Sequence, residues 1–260
     1  MKNRFVFSLL LLLLLTCSCM EKIAPGVRYE WTYDFYNRAC SYLSLTAFQG
    51  AYGAFLPIDG EVPVKQLRLC LDITSFTSDM LTSDAEYSPM YYSGYTSSSD
   101  KDIEKHIIEY IEKKCQPRYL FGDLMNKSQT PEIRISQRDV QIEYRTDLCS
   151  GIQIFADQTL FGKGPGEDLT DYYRLEFYEP DYIFLITKDK EVIKELNRMS
   201  VREFLDYAPL VFPRAYLYTG KIPPEVQERS LDVSFTVKIS LGDGTVLSGK
   251  SPSIRIISGQ

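Results

Sequence analysis

The stretch LDVSFTVKISLGDGTVLSGKSPSIRII, residues 231–257, decides the fold. Phe235, Val237, Ile239 and Leu241 alternate with Thr236, Lys238 and Ser240, which is the period of a strand with one buried face. The alternation breaks at Gly242-Asp243-Gly244 and then resumes, so the segment reads as a hairpin followed by a third short strand. Asp243-Gly244 predicts a type I′ turn, in which both central residues take positive φ.

The same period recurs upstream. CSYLSLTAF (40–48) and VKQLRLCLDI (64–73) alternate, with Leu67, Leu69 and Leu71 on one face, and Asp59-Gly60 between Pro57 and Pro63 supplies a turn. EIRIS from Glu132, VQIEYR from Val140, GIQIFAD from Gly151, YYRLEFY from Tyr172 and DYIFLIT from Asp181 are further strands. Two helices interrupt them. In the first, Ser99 is the expected N-cap with Asp102 three residues on. Ile103, Ile107, Ile111 and Cys115 form one face, and Glu104, Lys105, Glu109, Glu112 and Lys113 a solvated one, until Pro117 stops the helix. The second, SVREFLDYA, has Ser200 as N-cap and Glu203 at the capping-box position, and KEVIKELNRM (190–199) reads as a short helix before it. These elements predict a mainly β chain, a β-sandwich of immunoglobulin-like or transthyretin-like type, with a helical insertion near residues 99–115 and a short helix near 200–208.

Composition bounds the function. The chain of 260 residues is 44% hydrophobic and 13% aromatic, so it has the material for a buried core. A net charge of −6 argues against nucleic acid as a partner and against electrostatic docking on anionic lipid. With His106 as the one histidine, on the polar side of a helix, a histidine triad or a histidine metal site has no basis. No catalytic constellation is recognisable, and neither enzyme activity nor a cofactor is expected.

The N-terminus, MKNRFVFSLLLLLLLTCSC, has Lys2 and Arg4 before an apolar run from Phe5 to Leu15. That run is shorter than the roughly 20 residues that span a bilayer. A cysteine follows at once, which resembles the lipobox of bacterial lipoproteins. The resemblance implies a signal peptide over 1–18 and lipidation of Cys19, which follows the small Ser18, in preference to Cys17, which follows Thr16. Residues 19–30, broken by Pro25 and Gly26, become anchor and tether. Residues 31–260 form a single β-rich domain, with 117–130 as the place where it would subdivide. The membrane contact is then the lipid alone, on the outer membrane, at the cell surface or the periplasmic face. In an exported chain Cys40, Cys70, Cys115 and Cys149 predict two disulfides, with three connectivities open.

GIQIFADQTLFGKGPGEDLTDYY (151–173), SVREFLDYA (200–208) and FTVKISLGDGT (235–245) resemble a family of small Bacteroidota lipoproteins grouped as a domain of unknown function. That resemblance implies the anchor and the β-rich fold, and no activity.

Within it, FGKGPGEDLTD (161–171) departs from a phosphate loop, because Lys163 precedes the last two glycines and no hydroxyl follows it. It reads as a turn-rich connection, whose Glu167, Asp168 and Asp171 match no EF-hand spacing for calcium. The most suggestive binding segment is YSPMYYSGYTSSSD (87–100). There Tyr87, Tyr91, Tyr92 and Tyr95 offer ring faces and hydroxyls to a glycan or protein at low entropic cost, unless they fold back as packing. The expected function is therefore a lipid-anchored binding or interaction module. The alternative is a structural fimbrillin-like subunit or envelope assembly protein, although neither Arg28 nor Arg38 stands in a processing context. An envelope hydrolase with dispersed carboxylates is a third, more distant reading.

Overall fold

The computed structural model describes residues 28–51, 54–75, 98–114, 135–177, 183–227 and 229–259. The chain divides into two compact units, one of Met1–Tyr33 with Tyr119–Val140 and one of Asp34–Arg118 with Gln141–Gln260. Of the first unit the described residues are 28–33 and 135–140, all of them strand. The second unit holds all the other described residues.

Strand β1 (Arg28–Asn37) begins three residues inside the stretch expected to be tether. β2 (Tyr42–Ala51) and β3 (Ala54–Pro57) pair as a hairpin, and β4 (Glu61–Pro63) and β5 (Leu67–Thr74) follow the turn at Gly60, whose φ is +76°. Helix α1 (Lys101–Lys114) precedes β6 (Ile135–Tyr144) and β7 (Cys149–Ala156). β8 (Arg174–Glu176), β9 (Phe184–Ile186), β10 (Val192–Glu195) and β11 (Arg198–Ser200) are short, and helix α2 (Val201–Leu205) follows directly. β12 (Arg214–Tyr218), β13 (Leu231–Val233), β14 (Phe235–Leu241), β15 (Val246–Lys250) and β16 (Ile254–Ile257) complete the order.

The protein is mainly β and its core is that of a β-sandwich, as the alternation predicts. One sheet has six strands in the order β11-β8-β12-β5-β2-β3, all antiparallel, and a second has three, β15-β14-β7. Leu69, Leu71, Ile73, Leu175, Ala215 and Leu217 of the first share a buried cluster with Ile152, Ile154, Val237, Ile239 and Leu247 of the second. Each large aliphatic side chain so buried contributes about 1.5–3 kcal/mol. Gly249 of β15 packs closely against β2 of the other sheet. A Cβ there would lie 2.9 Å from the Leu43 carbonyl oxygen and 3.1 Å from Leu45 Cβ, so no larger residue fits without a shift. A third small sheet, β13-β16-β4, contains one parallel pair, β16 with β4.

Three local expectations need correction. KEVIKELNRM is two strands, not a helix. Its β-branched Val192 and Ile193 lie in β10, paired with β9, and Leu196 N–H donates to Ile183 O at 2.7 Å. The cap of α1 is Asp100, whose Oδ1 accepts from the N–H groups of Asp102 and Ile103 at 3.2 and 3.3 Å; Ser99 instead donates to Glu104. In the 242–244 loop only Gly244 takes positive φ, at +91°, while the Asp243 carboxylate accepts from Thr245 N–H at 2.8 Å. The type I′ geometry occurs elsewhere, at Phe161 and Gly162 (φ +56° and +74°), closed by reciprocal bonds between Leu160 and Lys163. The Ser200 cap of α2 is as expected, accepting from Glu203 N–H at 3.1 Å.

Candidate functional site

In an antiparallel sheet, residues directly opposite one another project from the same face. The pairing therefore aligns a row across the outer side of the six-stranded sheet: Arg198, Glu176, Tyr216, Cys70 and Thr46. The next row aligns Ser200, Arg174 and Tyr218, with Arg68 and Phe48 continuing it on the neighbouring strands. Between these positions on the same strands, Met199, Leu175, Leu217 and Leu69 point inward and are buried.

Glu176 is the centre of the corner. Its side chain is 7% exposed although it lies on the outer face. Arg68 Nε donates to Oε2 at 2.7 Å, and Arg198 donates to Oε1 through Nε at 2.6 Å and through Nη2. Both guanidinium groups also lie over the Tyr218 ring, their Cζ atoms 4.8 and 5.8 Å from its centroid. Arg68 is tied further by Nη1, which donates to the Lys65 and Leu67 carbonyls at 2.9 and 3.1 Å. Arg198 remains 59% exposed at the side chain and presents its outer edge to solvent. Arg174 is exposed and forms no ion pair among the described residues. A chain with a net charge of −6 thus carries a locally positive corner. Phe55 of β3 stacks on Tyr216 at 4.1 Å and 12°, extending the aromatic surface.

Cys70 lies in this corner without reactivity. Burial, with the charge of Asp72, pushes its thiol up to about 11, so it stays protonated and is a poor nucleophile. Burial likewise raises Cys40 and pushes Cys149 up to about 12. The expected disulfides are not seen: Cys40, Cys70 and Cys149 are free buried thiols, and Cys115 lies outside the described residues. Cys40 and Cys149 belong to the core cluster.

The other candidates fall as follows. The N–H groups of Phe161 and Gly162 donate to the Glu225 carboxylate at 3.0 and 2.7 Å, and Gly164 N–H donates to Glu167. The glycine-rich connection thus spends its donors on the chain's own carboxylates. Asp168 accepts from Thr170 N–H at 2.8 Å and Asp171 pairs with Arg202 at 3.1 Å, so with Glu167 they do not converge as calcium ligands. His106 Nδ1 donates to Lys190 O at 2.7 Å, a contact that docks α1.

Glu104, expected on a solvated face, is buried, and accepts from Tyr144 Oη at 3.0 Å, Ser99 Oγ at 2.6 Å and Lys101 Nζ at 2.8 Å. Burial alone would raise its carboxyl; those bonds hold it below the usual range. Arg145 is wholly buried, donates to the Ile73 and Tyr144 carbonyls and pairs with Glu143 at 2.7 Å, fastening the end of β6 to the end of β5. Tyr87, Tyr91, Tyr92, Tyr95 and Cys19 lie outside the described residues, and no helix among those described is long and apolar enough to cross a membrane.

Apart from Cys70, expected in a disulfide, none of the corner's residues is a site candidate in the sequence, and two of them, Tyr216 and Tyr218, lie on β12, a strand not among those expected. RAYLY (214–218) is a short alternation between Pro213 and Gly220, and its Tyr216 and Tyr218 were legible as the outward set. The chain matches no family model, no curated protein and no solved structure.

Proposed function

We propose that this protein is a lipid-anchored binding module of the bacterial outer envelope, tethered through Cys19, and that it captures a glycan on the outer face of the six-stranded sheet. The observation that carries this reading is the Tyr218 ring lying beneath two guanidinium groups that Glu176 fixes in place. The ring holds the guanidinium groups from below, and the exposed edge of Arg198 offers oriented donors to the hydroxyl or acidic oxygens of a sugar. Because the donors are already oriented, little side-chain entropy is lost on capture. The leader and the absence of a recognisable catalytic set fit a module that holds rather than transforms its ligand.

The test is retention of the full-length protein, in detergent, on a panel of immobilised polysaccharides. Tyr218→Ala is expected to weaken retention on the order of tenfold, about 1.4 kcal/mol, with the melting temperature within about 3 °C of the parent. Equal retention of the variant, or no retention of the parent on any member of the panel, sinks the reading.

A further inference from the structure

We infer that the ligand of this corner is an acidic polysaccharide of the uronate type, its carboxylates met by Arg174 and Arg198 at the rim of the corner that Tyr218 supports. This rests on the glycan-binding reading and narrows it to one class of chain. Charge carries the inference. Arg68, Arg174 and Arg198 surround Glu176 as the one carboxylate in the two rows at this end of the sheet, so the corner keeps positive charge after its internal pairing. The protein as a whole is acidic, with a net charge of −6. A polyanion is repelled by most of such a surface and is drawn only where positive charge is concentrated, within a screening length of about 8 Å at physiological salt.

Geometry supports the same class. Ser200, Arg174 and Tyr218 are directly opposite one another on adjacent strands. Strands lie about 4.8 Å apart, so a hydroxyl, a guanidinium and a phenol follow at successive strand spacings along one line. The planar fork of arginine matches a carboxylate in two parallel hydrogen bonds; Arg198 spends Nε and Nη2 on the single oxygen Glu176 Oε1, which leaves its outer edge for a ligand. Arg174, exposed and outside any ion pair among the described residues, is the cation with its whole fork to offer.

The experiment compares retention of the full-length protein on immobilised polygalacturonate, on the same polymer after its carboxyl groups are reduced to alcohols, and on dextran sulfate. Retention is expected on polygalacturonate at 0.15 M salt, at least tenfold weaker on the reduced polymer, and weaker on dextran sulfate. Arg174→Glu is expected to abolish it without changing the melting temperature. Equal retention on the reduced polymer, still dependent on Tyr218, overturns the charge inference and leaves the glycan-binding reading standing. Retention on dextran sulfate as strong as on polygalacturonate, or retention undiminished in Arg174→Glu, reduces the effect to unspecific polyanion attraction and overturns the assignment. No retention on polygalacturonate overturns it as well.

Discussion

On the inner side of the six-stranded sheet Leu69, Leu71, Leu175 and Leu217 are fully buried against the second sheet. On the outer side, alternate residues of the same strands are Arg68, Cys70, Glu176, Tyr216 and Tyr218, and Glu176 is nearly as inaccessible as its inner neighbours. The two faces reach burial by different means. The inner one excludes water by packing one sheet on another. The outer one does it with side chains alone, two guanidinium groups closing on one carboxylate and resting over an aromatic ring. Packing of the first kind tolerates no loss of volume, whereas the second depends on charge balance and stays open to a ligand at its rim.

The sharpest way to break this contrast is on the inner face. Leu71→Ala removes a wholly buried side chain and is expected to cost about 2–5 kcal/mol in urea unfolding, with no selective effect on ligand capture in the folded fraction. A cost below about 1 kcal/mol would mean the sandwich interior is looser than the contacts imply. Glu176→Ala comes next. It leaves two guanidinium groups facing each other without their common acceptor, and about 1–3 kcal/mol is expected, less than a wholly buried pair because Arg198 is largely in water. A neutral outcome in the same unfolding measurement would show that the carboxylate does not organise the corner. The smallest effect is expected at Asp72→Asn, further along the same face, where the carboxylate pairs with Arg214 at 3.1 Å. Both partners are partly solvated, so the cost should stay under about 1 kcal/mol. A larger loss would make the outer face a continuous charged network instead of one isolated corner.

The strands of the inner face were legible because burial on one side imposes a period of two on the sequence, as in Phe235 to Leu241 and Leu67 to Ile73. Where an element is short the signal thins. RAYLY holds only two inward residues, Ala215 and Leu217, and KEVIKELNRM carries enough Lys, Glu and Leu to satisfy helix propensity although the ladder with β9 overrides it. Phe161 is a further case. No side chain advertises a positive φ, and its left-handed backbone, costing about 1–2 kcal/mol, is offset by Glu225 on its N–H and by stacking on Tyr172 at 4.3 Å. Glu104 looked solvated because its helix neighbours are polar; its partner Tyr144 comes from a strand 40 residues away.

The sequence by itself determined the β-rich class, the inward sets of β5 and β14, the cap at Ser200 and the overall acidity, because these follow from local periodicity and composition. The proposed lipid anchor rests on the sequence alone, on the charge and length of the leader and a cysteine after the apolar run. Only the tertiary structure decided the corner. Arg68 and Glu176 lie 108 positions apart in the chain, and Arg198 a further 22 from Glu176. What joins them is the order β11-β8-β12-β5 and its register. Strand neighbours are selected by how the buried faces fit together, and the outward residues inherit whatever partners that choice gives them. No period in the sequence encodes which arginine will meet which carboxylate.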